Sequence, residues 1–469
     1  MSQRTAAELG FRTLTEERTG TSLPVTGTVP AWLSGTLIRN GPGRFDAGGG
    51  VNHWFDGLAM LRRYAFDDGE VEYTNRFLRT EAYKRAEAGE STRQFATGAS
   101  GLSELRRWVR ALGPPEPTDN ANVHLARIGD RFVAQTEVPR WIEFDPHTLE
   151  TVGEFTFDDG VSTQMATAHF VVDDHHGESI GYGLSFGRQT EYHVYRVPHG
   201  SDRREDIGRV TAEGPGYVHS VAVTPNHVVL LEPPLHIDVL RGLSPWTEGF
   251  AGMLSYDADA GTRIVVLDRT TGEIVADPTA DPFFVFHHVN AFERDGEVVL
   301  DLVAFEDAGI VDALALDELR SGGFADSPDG HLVRYRVDPR TGETDHERRS
   351  PGGIELPTVP PAVRTRPYRY AYGQATDRSG ANGLVKVDVE AGTATEWWEE
   401  GVYVEEPRMV QHPDGDAEDE GVVLAPALDT DARRTYLLVF DAETLTLRAR
   451  ARVPHAVPFG FHGRFFSGL

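Results

Sequence analysis

One turn recurs along this chain, and it limits the fold more than any other feature. Short β-rich runs flank an Asp followed by Gly or Thr: F-D-D-G-E-V at 66–71, F-D-P-H-T-L-E at 144–150 and L-D-R-T-T-G-E-I at 267–274. The pattern returns as V-D-P-R-T-G-E at 337–343, V-D-V-E-A-G-T at 387–393 and F-D-A-E-T-L-T at 440–446. Asp and Gly supply the turn geometry that joins two antiparallel strands, so each of these is a β-hairpin signal. The last three lie about one propeller blade apart, and the longer earlier spacings require insertions. The W-D dipeptide of the commonest propeller family is missing. An all-β fold follows, with a β-propeller as the expected architecture and a β-sandwich as its competitor.

No obvious linker divides the 469 residues, so residues 1–469 read as a single domain. One stretch, 98–113, breaks the β pattern. Within it Leu102, Leu105, Val109 and Leu112 fall on one helical face beside Trp108, and Arg106, Arg107 and Arg110 lie towards the other. A basic amphipathic helix with a tryptophan fits a membrane surface or a cap on the propeller. The apolar insertion Leu235–Leu254, with Ile237, Val239, Leu240, Trp246 and Phe250, is a second surface of this kind.

The charge balance narrows the partners. A formal charge of −28, from 73 acidic against 45 basic residues, argues against nucleic acid. Lys84 and Lys386 are the only lysines, a composition suited to a salt-rich, halophilic cytoplasm. With no cysteine there are no disulfides, thiolate metal sites or cysteine nucleophiles. The first residues carry no apolar signal core, and no run approaches the ~18 apolar residues of a membrane span. A cytoplasmic protein is expected, with peripheral membrane contact as a further expectation.

Four of the 18 histidines stand apart. His287 follows the apolar run Phe283–Phe286 at the mouth of an expected strand, in F-H-H-V-N-A-F-E. His169 in T-A-H-F-V-V and His219 in Y-V-H-S-V-A-V likewise begin apolar β-runs, and His462 sits between Gly460 and Gly463. In a propeller the innermost strands gather round the central axis, so histidines starting such strands would converge on one metal. Imidazole suits iron, copper, nickel or zinc, and ligand type alone does not choose among them. Ligating histidines hand their second N–H to an acceptor, which calls for buried carboxylates. Glu137 in V-A-Q-T-E-V-P, Glu355 in G-I-E-L-P and Glu406 in E-E-P-R-M-V fit that role. Asp56 and His53, in N-H-W-F-D-G, read as structural residues tying a turn near the propeller closure.

These motifs, together with N-G-P-G-R-F, R-P-Y-R-Y-A-Y-G at 366–373, E-D-E-G at 418–421 and P-F-G-F-H-G, occur in an order that resembles the carotenoid cleavage oxygenases nearly end to end. That family of non-haem iron dioxygenases includes β-carotene oxygenases, retinoid isomerohydrolase and stilbene-cleaving enzymes. The resemblance implies a seven-bladed propeller with a helical and loop cap over the metal-bearing face. It implies Fe(II) held by His169, His219, His287 and His462, with Glu137, Glu355 and Glu406 behind them. It places the ligand first in the pair His287-His288. The double histidine and W-F-D-G-L-A-M-L are similar to the animal β-carotene oxygenase branch, which points to a carotenoid or apocarotenoid, with retinal-type products.

The implied reaction adds O2 across a conjugated C=C bond and yields two carbonyl products, with no protein general base. The polyene would lie in an apolar, aromatic-lined tunnel. The competing readings are a stilbene-cleaving oxygenase, a redox-neutral isomerohydrolase, a cation-dependent propeller hydrolase and a non-catalytic binding module.

Overall fold

The computed structural model describes all residues except 1–5, 47–48, 91–93, 99–100, 103–104, 106–116, 325–326 and 379–380. Most of the expected 98–113 helix therefore lies outside the described residues. The strands form seven sheets of four to six strands each, plus one two-stranded hairpin. These seven sheets are the blades of a β-propeller, and the sandwich alternative is excluded.

The recurrent turn joins two neighbouring outer strands of a blade. Asp268 Oδ1 accepts from the backbone N–H of Thr270 at 2.8 Å and of Thr271 at 2.7 Å. Gly272 then takes φ +73°, and Gly342 and Gly392 repeat that conformation in the next two blades at +74° and +66°. A carboxylate that caps its own turn, followed by a left-handed residue, closes each hairpin. At 66–71 Asp68 and Gly69 both have positive φ, 44° and 79°, the geometry of a two-residue hairpin. The third blade, Met165 to Thr211, turns its last hairpin at His199-Gly200 instead. That last hairpin has no capping Asp, although Asp173 and Gly177 (φ +68°) make the Asp-capped turn earlier in the same blade.

Burial decreases from axis to rim. Gly421–Asp429 is buried at all but its two end residues, and the outer strands Thr393–Trp397 and Thr344–Arg348 are almost wholly exposed. Central strands covered on both faces tolerate continuous apolar sequence, and rim strands do not.

The ring closes twice. Gly463–Phe466 pairs with Gly35–Arg39 inside the first blade, with Ile38 opposite Arg464. Val25–Gly27 pairs with Leu447–Arg452 at the rim of the seventh. Each closure removes a sheet edge.

Short helices and loops cover one face. N-H-W-F-D-G is strapped to this cap through His53 Nε2 and Val311 O at 2.9 Å, and through Trp54 N–H to Leu314 O at 3.2 Å. Asp56 accepts from the Phe95 N–H at 2.7 Å and the Thr97 hydroxyl at 2.6 Å, so His53 and Asp56 hold turns. Among the described residues, no helix is long and apolar enough to cross a membrane.

Candidate metal centre

Three consecutive blades and the closing strand bring the four histidines together. His169 lies in the break between Met165–Ala166 and Val171–Asp173, and His219 just before Ala222–Val223. His462 immediately precedes Gly463–Phe466. The expectation for His287 needs correction: it lies within Phe284–Arg294, next to an irregularity in pairing, rather than at a strand start. That irregularity turns its ring to the axis while His288 turns away. His288 Nδ1 meets the Ser220 hydroxyl at 2.8 Å, and burial pushes it down to about 3. Of the pair, His287 is the one that lies in the cluster.

The ligand atoms of His169, His219, His287 and His462 all lie within 4.8 Å of one another. With metal–nitrogen bonds of about 2.1 Å, adjacent donors stand about 3 Å apart and opposite ones about 4.2 Å, so one ion could be held by all four. The Nε2 atoms of His287 and His462 are 3.3 Å apart. The buried His169 Nε2 has no hydrogen-bond partner, an orphan that a metal would satisfy. Burial, then the neighbouring imidazoles His219 and His462, holds His169 well below the usual imidazole range. His462 is lowered the same way, by burial and then His287, and a neutral ring is the form that binds metal.

Each of the three glutamates lies against one ring. Glu137 is 2.6 Å from His219 Nδ1, Glu355 is 2.7 Å from His287 Nδ1, and Glu406 is 2.8 Å from His462 Nδ1. A carboxylate on Nδ1 fixes the tautomer and leaves the Nε2 lone pair free. These carboxylates are themselves held. The Tyr217 hydroxyl donates to Glu137 at 2.7 Å, the Leu356 N–H to Glu355, and Arg39, Arg408 and the Gly463 N–H to Glu406.

Reasoning from sequence missed one histidine. His124 opens the innermost strand of the second blade, in N-V-H-L-A-R-I, and stacks on His462 with centroids 5.0 Å apart and planes at 16°. It stands before a β-run as His169 does, so the same signal was present. Its Nδ1 accepts from the Leu125 N–H at 2.6 Å, and it packs behind the cluster without joining it.

The centre separates two cavities. One, of about 540 Å³, is walled by Phe55, Phe95, Phe186, Phe250, Phe286 and Phe305 and reaches His219, His287 and His462. The other, of about 900 Å³, is polar and reaches His169, His287 and His462.

A family model described as retinal pigment epithelial membrane protein matches residues 11–467. The chain belongs to the carotenoid cleavage oxygenase family. This family member is 32% identical to the beta,beta-carotene 15,15'-dioxygenase of Mus musculus, over 94% of this chain and 88% of the mouse protein. It is 33% identical to carotenoid cleavage dioxygenase 8 homolog B of Oryza sativa subsp. japonica, over 97% of this chain and 84% of the rice protein. Its fold is similar to that of the cobalt-substituted apocarotenoid oxygenase of Synechocystis, with TM-score 0.89, 26% identity and 99% of both chains covered.

Proposed function

We propose that this chain is a non-haem Fe(II) dioxygenase that cleaves a conjugated C=C bond of a carotenoid or apocarotenoid. The double bond and one O2 become two C=O groups, which balances atoms and electrons without a further reductant. The observation that carries the reading is a buried four-histidine cluster opening into a cavity walled by phenylalanine. A polyene offers almost nothing to hydrogen-bond, and such walls suit it.

His169, His219, His287 and His462 would hold the iron, which would supply activation of O2. Glu137, Glu355 and Glu406 orient three of the rings, and their charge offsets that of a divalent ion whose own donors are neutral. The aromatic walls position the polyene and exclude water. Residues 1–469 act as one domain in this reading.

An apolar rim favours substrate delivery from a membrane surface. Leu240, Leu243 and Trp246 are 79%, 61% and 62% exposed, and Leu102 is 67% exposed. The Gly101 N–H donates to Pro245 O at 2.8 Å, which joins the two segments, and Val239 and Leu243 also line the apolar cavity. We place the protein in the cytoplasm, in peripheral contact with lipid.

The test is oxygen uptake and product analysis with β-carotene and with apocarotenals, using iron-loaded protein and 18O2. Stoichiometric uptake with label in two carbonyl products is expected. Isomerised product without oxygen uptake would replace cleavage with the isomerohydrolase reading.

A further inference from the structure

The polar cavity beyond the metal centre shares only His287, Leu356 and His462 with the apolar one. Its walls carry four arginines, Arg127, Arg364, Arg408 and Arg464. Two of these are answered. Arg408 pairs with Glu406 at 2.5 Å, and Arg127 lies 3.5 Å from Asp130 at the surface. The other two are answered by no carboxylate, although the Arg464 guanidinium lies over the Phe466 ring at 5.6 Å. Among the described residues, neither the Arg364 nor the Arg464 guanidinium has a carboxylate within 4.0 Å or a hydrogen-bond acceptor. The carboxylate whose charge reaches both is Asp174, which is exposed.

Both arginines stand on rigid supports. Asn290 Nδ2 donates to Val363 O at 2.9 Å and to Arg366 O at 3.0 Å, and Asn290 Oδ1 accepts from the Thr365 N–H at 2.9 Å. One side chain thus pins the backbone on both sides of Arg364. Thr365 is held at φ +63°, a conformation that a β-branched residue adopts only under constraint. Arg464 is fixed by the closing strand, opposite Ile38. Two more donors in the same walls lack partners: the buried Nε of Arg408 and the buried Nε2 of His288. Both guanidinium groups are half-buried, and holding like charges side by side in a partly desolvated cavity is unfavourable unless an anion joins them. A guanidinium fork matches an oxyanion with two parallel hydrogen bonds.

We propose that this channel is a binding site for a small inorganic oxyanion, held chiefly by Arg364 and Arg464. The bound anion would tie the 361–366 loop to the closing strand and thereby reinforce the ring. This inference does not depend on the proposed oxygenase chemistry.

Inorganic phosphate is the probe, titrated calorimetrically into metal-loaded full-length protein in low-chloride buffer. Saturable one-site binding and a phosphate-dependent rise in melting temperature are expected. R364Q and R464Q should each weaken binding by roughly tenfold or more, the loss of charge-assisted hydrogen bonds. R378Q, which removes an arginine paired with Glu396 elsewhere, should leave binding unchanged. R464Q changes the closing strand, so if it does not fold, R364Q on its separately pinned loop decides. Absence of saturable binding by the parent protein would overturn the proposal. So would binding that survives R364Q intact, because the anion would then sit elsewhere.

Discussion

Nε2 of His287 and Nε2 of His462 lie 3.3 Å apart, with Glu355 and Glu406 on the opposite nitrogens of the two rings. If both Nδ1 atoms carry the protons, two lone pairs face each other, and only a cation between them relieves the repulsion. His462→Ala is therefore expected to abolish stoichiometric metal in elemental analysis. The parent's melting temperature should fall on chelation and recover with Fe(II), while the variant's should not respond.

The glutamates should differ in what they cost when neutralised. Glu355→Gln is expected to lower metal affinity by about 10–100-fold, with little loss of stability. Glu406→Gln should lose affinity similarly and also destabilise the fold. Arg39, 1% exposed, pairs with Glu406, and removing one partner of a buried pair costs about 3–5 kcal/mol. Arg39 also lies 3.6 Å from Glu405, which puts the expected loss at the lower end. Competition titration and denaturant unfolding separate the two effects.

Acid stability should depend on Glu293, the last residue of F-H-H-V-N-A-F-E. Burial would raise its carboxyl, but hydrogen bonds from His227, Thr224 and Asn226 hold it down to about 2, against an ordinary 4.5. A depressed carboxyl stabilises the fold fully above its unfolded value, and that stability is lost as pH falls through the folded one. Unfolding free energy should therefore decline from pH 4.5 towards 2. Glu293→Gln should flatten that decline when stability is measured across the window.

The apolar rim gives a binding prediction. Leu240→Glu with Trp246→Glu should abolish co-sedimentation with lipid vesicles. Both side chains are exposed, so melting temperature should change little. Turnover of detergent-solubilised substrate should persist.

The hairpins were legible because each depends on its own residues: Asp268 caps its own turn whatever surrounds it. The last hairpin of blade three escaped because it turns through His199-Gly200-Ser201 on a backbone bond from Ser201 N–H to Pro198 O, with no capping Asp. Three of the four histidines were legible through the apolar runs beside them and His462 through its glycine-flanked place at the last strand, yet His287 is aimed by a pairing irregularity that no local pattern announces. His124 carried the same signal as His169 and was passed over. The unanswered pair Arg364 and Arg464 could not be read at all. They are 100 residues apart in sequence, and only ring closure lines one cavity with both.

That closure also orders events in time. The strand Gly463–Phe466 completes a blade whose other strands come from residues 18–77, and His462 immediately precedes it. A nascent chain emerging from the ribosome has His169, His219 and His287 long before it has His462. Until the ring shuts, it can present at most three of the four imidazoles, in an unfinished toroid. A metal site that needs all four imidazoles would thus form only once the ring has shut, and a half-made protein would be kept from doing oxygen chemistry.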